Sequence, residues 1–278
     1  MSALPHVAGL PRLERGGRLT LPRVLRSEWT KLRSVRSTVW SLLAAVVLTI
    51  GLPSLFAAIL ANRWAHLSLR ERAGHRHHPL DVALAGVNIS QLAIAVLGIL
   101  VITGEYSTGM IRASFTAVPR RLPVLAAKTV VFAVVAFLLM LPSVVAAFFA
   151  SQALLARHDI LQISFSQAGV ARAVVGSALY LTVVGIFALG IGAIVRNTAG
   201  GIATFVALMF VLPPLMNVLP QSWNDAMTPY LPDSAGRAVF ALTTGAHSLA
   251  PWTGFALFCG YAAVALALAA VLLARRDT

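Results

Sequence analysis

The chain has 278 residues, 58% hydrophobic and 11% charged, against about 25% charged in an ordinary soluble domain. That composition excludes a two-domain soluble protein, whose surface needs more charge, and a disordered chain, which holds fewer apolar residues. The 22 Lys+Arg against 9 Asp+Glu give +13, which here reads as a topology signal before it reads as nucleic-acid binding. The lone cysteine, Cys259, leaves no intramolecular disulfide and no cysteine zinc site.

Residues 1–20, with Pro5, Pro11, Gly16 and Gly17, read as a disordered basic cytoplasmic tail. From 21 to 38 a helical period appears. Leu21, Val24, Leu25, Leu32 and Val35 share one face with Trp29 at its edge, while Arg23, Arg26 and Arg33 lie opposite. Such a helix suits the membrane interface, with its arginines toward anionic lipid. Glu28 falls on the apolar face, where a bare carboxylate is costly, and Lys31 is the expected local partner.

Next come six charge-free stretches, beginning with the 26 residues between Arg36 and Arg63. Each holds about 20 apolar residues, enough for a helix to cross ~30 Å of hydrocarbon. The predicted spans are 39–60, 82–103, 129–150, 173–195, 199–219 and 252–274, and all 31 charged residues lie outside them. A cleaved signal peptide is the rival reading of the first span, and its long leader, long apolar core and want of a clear small-x-small cleavage site argue against it. The predicted fold is an all-α integral membrane protein, one domain over 21–278. It has six transmembrane helices and an N-terminal amphipathic interfacial helix.

With both ends inside, 15 of the 22 basic residues fall on the cytoplasmic side, as the positive-inside rule requires. The inner segment 104–128 is the long cytoplasmic connection. Met110, Ile111, Phe115 and Val118 recur there at helical spacing, which suits a short helix docking a soluble partner. Pro53, Pro142 and Pro213-Pro214 predict kinks, and Ala188 with Gly192 predicts a close helix contact. The stretch 220–251, with Pro220, Pro229, Pro232 and Pro251, is expected to dip back into the membrane rather than to build an outer domain.

Chemistry-bearing motifs are scarce. Gly104-x-x-x-x-Gly109 has phosphate-loop glycine spacing, but Met110 and Ile111 stand where Lys and Ser/Thr are required, so no ATP site is expected in this chain. His75, His77 and His78 sit in an Arg-containing outer loop and read as solvated rather than metal-binding. The spans contain no His and no acid, which argues against a catalytic constellation or a proton relay. The polar intramembrane candidates for a transport path are Asn88, Gln91, Thr204 and Asn217, with Ser90 beside them. Interhelical hydrogen bonding is the alternative reading of these groups.

Several segments, in order along the chain, resemble a known family. They are Ser27-Glu28-Trp29-Thr30-Lys31-Leu32-Arg33-Ser34, Glu105-Tyr106-Ser107-Thr108-Gly109-Met110-Ile111-Arg112, Leu231-Pro232-Asp233-Ser234-Ala235-Gly236 and Pro251-Trp252-Thr253-Gly254. They look like the permease subunits of bacterial ABC transporters of the type-2 export family, in their Arg-rich actinobacterial form. The resemblance implies a plasma-membrane subunit that works as a homodimer or paired with a second permease. A separate ATPase subunit would bind ATP and Mg. It also implies a connecting helix carrying Glu28, Trp29, Lys31 and Arg33, and an ATPase-coupling segment with Glu105, Tyr106, Thr108, Gly109 and Arg112. Membrane lipids are expected partners and nucleic acid is not. The competing classes are a lipid-modifying membrane enzyme and a sensory or structural anchor.

Overall fold

The computed structural model describes residues 21–68, 70–72, 79–107, 121–157, 160, 163–243, 245 and 248–276. The basic tail, the His75–His78 loop and the middle of the 104–128 connection, including Thr108, Gly109 and Arg112, lie outside them. Among the described residues the chain is helical and has no strand. Six helices are long and apolar enough to cross a membrane, which makes this a multi-pass membrane protein.

α1 (Leu21–Ser34) runs into α2 (Arg36–Arg63), the first span. α3 (Pro79–Leu84) is a short turn of helix before α4 (Val87–Ser107). α5 (Arg121–Ala156) and α6 (Val170–Val195) are the third and fourth spans. The fifth is broken into α7 (Thr198–Val206), a π-turn at Ala207–Val211 and α8 (Leu212–Met216). The sixth is α11 (Pro251–Arg276), preceded by the short helices α9 (Gln221–Met227) and α10 (Pro232–Arg237).

The helices run on past the charge-free stretches into charged residues, and at three of these ends the charged side chains turn inward. α4 carries Gly104, Glu105 and Tyr106 in its last turns, α5 carries Lys128 two turns from its start, and α6 carries Arg172. The 104–128 connection is therefore helical at both ends. Charge marks the end of a helix only where the charge must reach water, and these side chains find partners inside the protein.

α6 is the hub, packing against α4, α5 and α11. Its contact with α4 is the most extensive in the molecule, and glycine makes it close. A Cβ on Gly98 would collide with the Gly185 carbonyl, and one on Gly192 would stand 3.1 Å from Ile99 Cα. Tight backbone approach is what drives helix association where lipid gives no hydrophobic gain. The small-residue face expected from Ala188 and Gly192 thus extends to Gly185 and to Gly98 on the facing helix.

The proline expectations resolve individually. Pro53 and Pro142 lie within α2 and α5, and Pro53 nests against Gly86, where a Cβ would be 2.6 Å from its ring. At Pro213-Pro214 the helix widens into the π-turn just ahead, which accommodates backbone groups that proline leaves unpaired.

Residues 221–241 fold back onto the bundle. Arg172 donates to the carbonyls of Val239 and Ala241 at 2.7 and 2.9 Å. Gly236 lies against Tyr180 and Phe258, and Gly254 against the Ala235 carbonyl. Side chains at either glycine would hold the segment off α6 and α11.

Candidate functional site

Two polar nodes lie at opposite ends of α4. The first gathers α1, α4 and α5. Along α1 the buried stripe is Val24, Glu28 and Leu32, so the carboxylate that the helical wheel placed on the apolar face is indeed turned inward. It does not rest on a local surface pair. Lys31 Nζ meets Glu28 Oε1 at 2.6 Å, and Lys128 Nζ meets Glu28 Oε2 at 2.7 Å and Glu105 Oε1 at 2.8 Å. Lys31 also reaches Glu105 Oε1 at 3.2 Å. The side chains of Glu28, Glu105 and Lys128 are 3%, 7% and 4% exposed, while that of Lys31 is 33% exposed. Two carboxylates and two ammoniums balance, so the cluster is neutral although almost dehydrated.

Lys128, 100 residues from Glu28 in the chain, is the member that sequence reasoning missed. It bridges both acids. Of the other predicted residues here, Trp29 and Arg33 are exposed. Tyr106 lies under the guanidinium of Arg196, 5.3 Å from the ring centroid. A cavity of about 470 Å³ adjoins the cluster, lined by Lys31, Ser34, Val35, Thr38, Val101 and Gly104 among others.

Burial alone would raise the Glu28 pKa, but the Lys128 and Lys31 ammoniums outweigh it and hold the carboxyl below its usual value. Burial would likewise lower Lys31, but Glu28 and Glu105 hold it above its usual value. A depressed acid stabilises the fold fully above its unfolded pKa and loses that contribution as pH falls through the folded one. A raised lysine stabilises below its unfolded pKa and loses the contribution as pH rises through the folded one. Docking of α1 should therefore persist throughout the range between the ordinary carboxyl and lysine values, and loosen only as pH falls below the first or rises above the second. Spin labels at the exposed positions Thr30 and Leu122, in a Cys259→Ala background, would report it. A distance distribution that broadens near neutral pH would contradict the ionic assignment.

The second node sits toward the other end of α4. The Tyr180 hydroxyl hydrogen-bonds Gln91 Oε1 and lies 3.2 Å from Asp233 Oδ1, which accepts from Arg237 Nε at 2.8 Å. Tyr180 and Gln91 are fully buried, Asp233 nearly so, and Gln91 Nε2 has no partner among the described residues. A half-turn of the Gln91 amide would make Nε2 the donor to Tyr180, leaving the phenolic hydrogen for Asp233. Tyr180 is ten residues into α6, ~15 Å along the helix at 1.5 Å per residue.

The expectation concerned acids within the spans, and Asp233 lies outside them, in α10. No acid belongs to a span by sequence, yet the folded-back segment carries Asp233 to a tyrosine deep in one. Pairing with Arg237 is what makes the burial tolerable. Asp233 is not among the residues lining the cleft of about 390 Å³ where Asn217, Asn224, Asp225, Ser234 and Arg237 meet.

The four transport-path candidates do not converge. Gln91 belongs to this node. Asn88 is exposed, Thr204 donates to Gly200 O of its own helix at 2.8 Å, and Asn217 accepts from Asn224 Nδ2 at 3.2 Å. Ser90 shares a 2.8 Å hydrogen bond with Thr49 of α2. Gln91 and Ser90 thus serve interhelical bonding, the alternative reading.

Among the described residues no three His, Cys, Asp or Glu side chains are grouped to hold a metal. No family model matches the chain, and no curated protein matches it.

Proposed function

We propose that the chain is the membrane-spanning permease subunit of an ABC transporter. It exports a substrate across the plasma membrane with ATP hydrolysed, and Mg bound, by a separate ATPase subunit. Two such permeases, identical or paired, form the path, and both termini face the cytoplasm. The observation that carries this reading is the Glu28–Lys31–Glu105–Lys128 cluster. Glu105 and Lys128 stand on either side of the 108–120 segment, and Glu28 and Lys31 belong to α1. A partner pulling on that segment moves the ends of α4 and α5 and, through buried ion pairs, α1 as well. The motif resemblance around Glu105 and Arg112 supports the same assignment.

ATP hydrolysis is expected to co-purify with the chain only when the ATPase subunit is present; hydrolysis by the isolated chain would end the proposal. In the reconstituted complex, Arg112→Ala should keep ATPase activity while lowering transport per ATP about tenfold. Unchanged stoichiometry would remove the coupling role from this segment.

A further inference from the structure

We infer that the 470 Å³ cavity beside the ionic cluster is a binding site for one anionic phospholipid, which contests Lys31 with the two carboxylates. The inference goes beyond the transporter reading and stands without it, because what is read is lipid retention. The lining is amphipathic. Lys31, Ser34, Ser37 and Thr38 offer an ammonium and three hydroxyls, while Leu32, Val35, Leu100 and Val101 offer apolar walls. A free phosphate would match only the first set. A lipid matches both, with its phosphate at the polar end and its first methylenes against the apolar side.

The surroundings continue that match. Val35, which lines the cavity, begins a row with Val39, Leu43 and Val47 that runs up α2 on i+4 spacing. These four are 40%, 48%, 52% and 57% exposed, an open apolar ridge leading from the cavity along the first span, the course an acyl chain would take. The cavity lies where this apolar helix ends, which is headgroup depth for a spanning helix.

Charge selects the headgroup. Glu28 and Glu105, which also line the cavity, are bridged by the buried Lys128 at 2.7 and 2.8 Å, and Lys31 supplies the second positive charge of the cluster. Lys31 is the cluster's one partly exposed member, with its longer contact, 3.2 Å, to Glu105. Arg33 and Arg36, both exposed, flank the lining residues. An anionic phosphodiester gains from Lys31 at the cavity and from the basic stretch around it, and a zwitterionic headgroup carries its own ammonium into the same field. Because Lys31 joins α1 to Glu105, an occupied site draws it outward and loosens the α1–α4 link without breaking the Lys128 bridges.

The test uses the full chain in nanodiscs of phosphatidylcholine doped with phosphatidylglycerol, followed by native mass spectrometry of retained lipid. The wild type should keep one phosphatidylglycerol per chain. Lys31→Gln should lower its preference over phosphatidylcholine about fivefold, the effect of one surface cation. Since Lys31 belongs to the cluster, a second variant leaves every charge in place. Gly104 lines the cavity, and a Cβ there meets nothing within 4 Å, so Gly104→Leu fills the space without a backbone clash. It should abolish retention while preserving the α1 label distances. Equal retention of both lipids, or wild-type retention by Gly104→Leu, would overturn the site. Displacement of the lipid by inorganic phosphate at millimolar concentration would assign it to a soluble anion instead and overturn the lipid proposal equally.

Discussion

Replacing Lys128 with Met is expected to be the most damaging single change at the ionic cluster, destabilising the folded chain by about 3–5 kcal/mol. Its ammonium, 4% exposed, is the only one to approach both Glu28 and Glu105 within 3 Å among the described residues. Without it, Lys31 cannot neutralise two buried carboxylates, and one must take up a proton, draw in water or leave the interior. The last course peels α1 from α5. The expected result is lost yield of folded protein and an earlier thermal unfolding in detergent. A compensated variant makes the argument sharper. Glu28→Gln and Glu105→Gln added to Lys128→Met remove the stranded charges, and stability should return to within about 1 kcal/mol of the wild type, because a dehydrated ion cluster is worth little net against neutral replacements. Coupling across the cluster should stay lost in the triple variant. If Lys128→Met alone unfolds like the wild type, the cluster is not the structural joint described here.

Much of this arrangement was legible in the sequence, and what was not has a physical reason. Hydrocarbon excludes unpaired charge, so charge-free stretches located six helices long enough to span a membrane. The same criterion does not mark where α4 and α5 end as helices, because Glu105 and Lys128 pair with each other within them. Glu28 was visible as an anomaly on an apolar face. Its partner Lys128 was not, since a contact across 100 residues leaves no local period. The fold-back of 221–241 could be read from its prolines, whereas the meeting of Asp233 with Tyr180 could not, because one tyrosine in an apolar helix looks like any other core aromatic. A usable signal did exist. Gln91, Gly98 and Glu105 are spaced seven residues apart, a polar, small and charged series that drifts only ~20° per step around a helix. On α4 these are the three positions that meet Tyr180, Gly185 and Lys128.

That series leads to the second large effect. Gly98→Ala is expected to destabilise the bundle by about 1–3 kcal/mol, although alanine is the better helix former by about 1 kcal/mol. The added methyl would overlap the Gly185 carbonyl and stand 3.2 Å from Leu189 N. Both are backbone atoms of α6, so no side chain can swing aside and α4 must move as a body. Its two nodes lie seven residues to either side, ~10 Å along the axis at 1.5 Å per residue, too near for the helix to bend around the obstruction. The Gln91–Tyr180 and Glu105–Lys128 contacts should therefore loosen together, which a local packing defect would not produce. Gly260→Ala is the matched control. Gly260 is also inside a spanning helix, but a Cβ there meets nothing within 4 Å, so the same substitution should be neutral or slightly stabilising. Thermal unfolding of the two variants separates the outcomes, and the α1 label distances show whether the ionic cluster moves. Equal stability of the two would mean that α4 and α6 are free to part. Loss of stability with the cluster undisturbed would mean that α4 does not carry displacement from one node to the other.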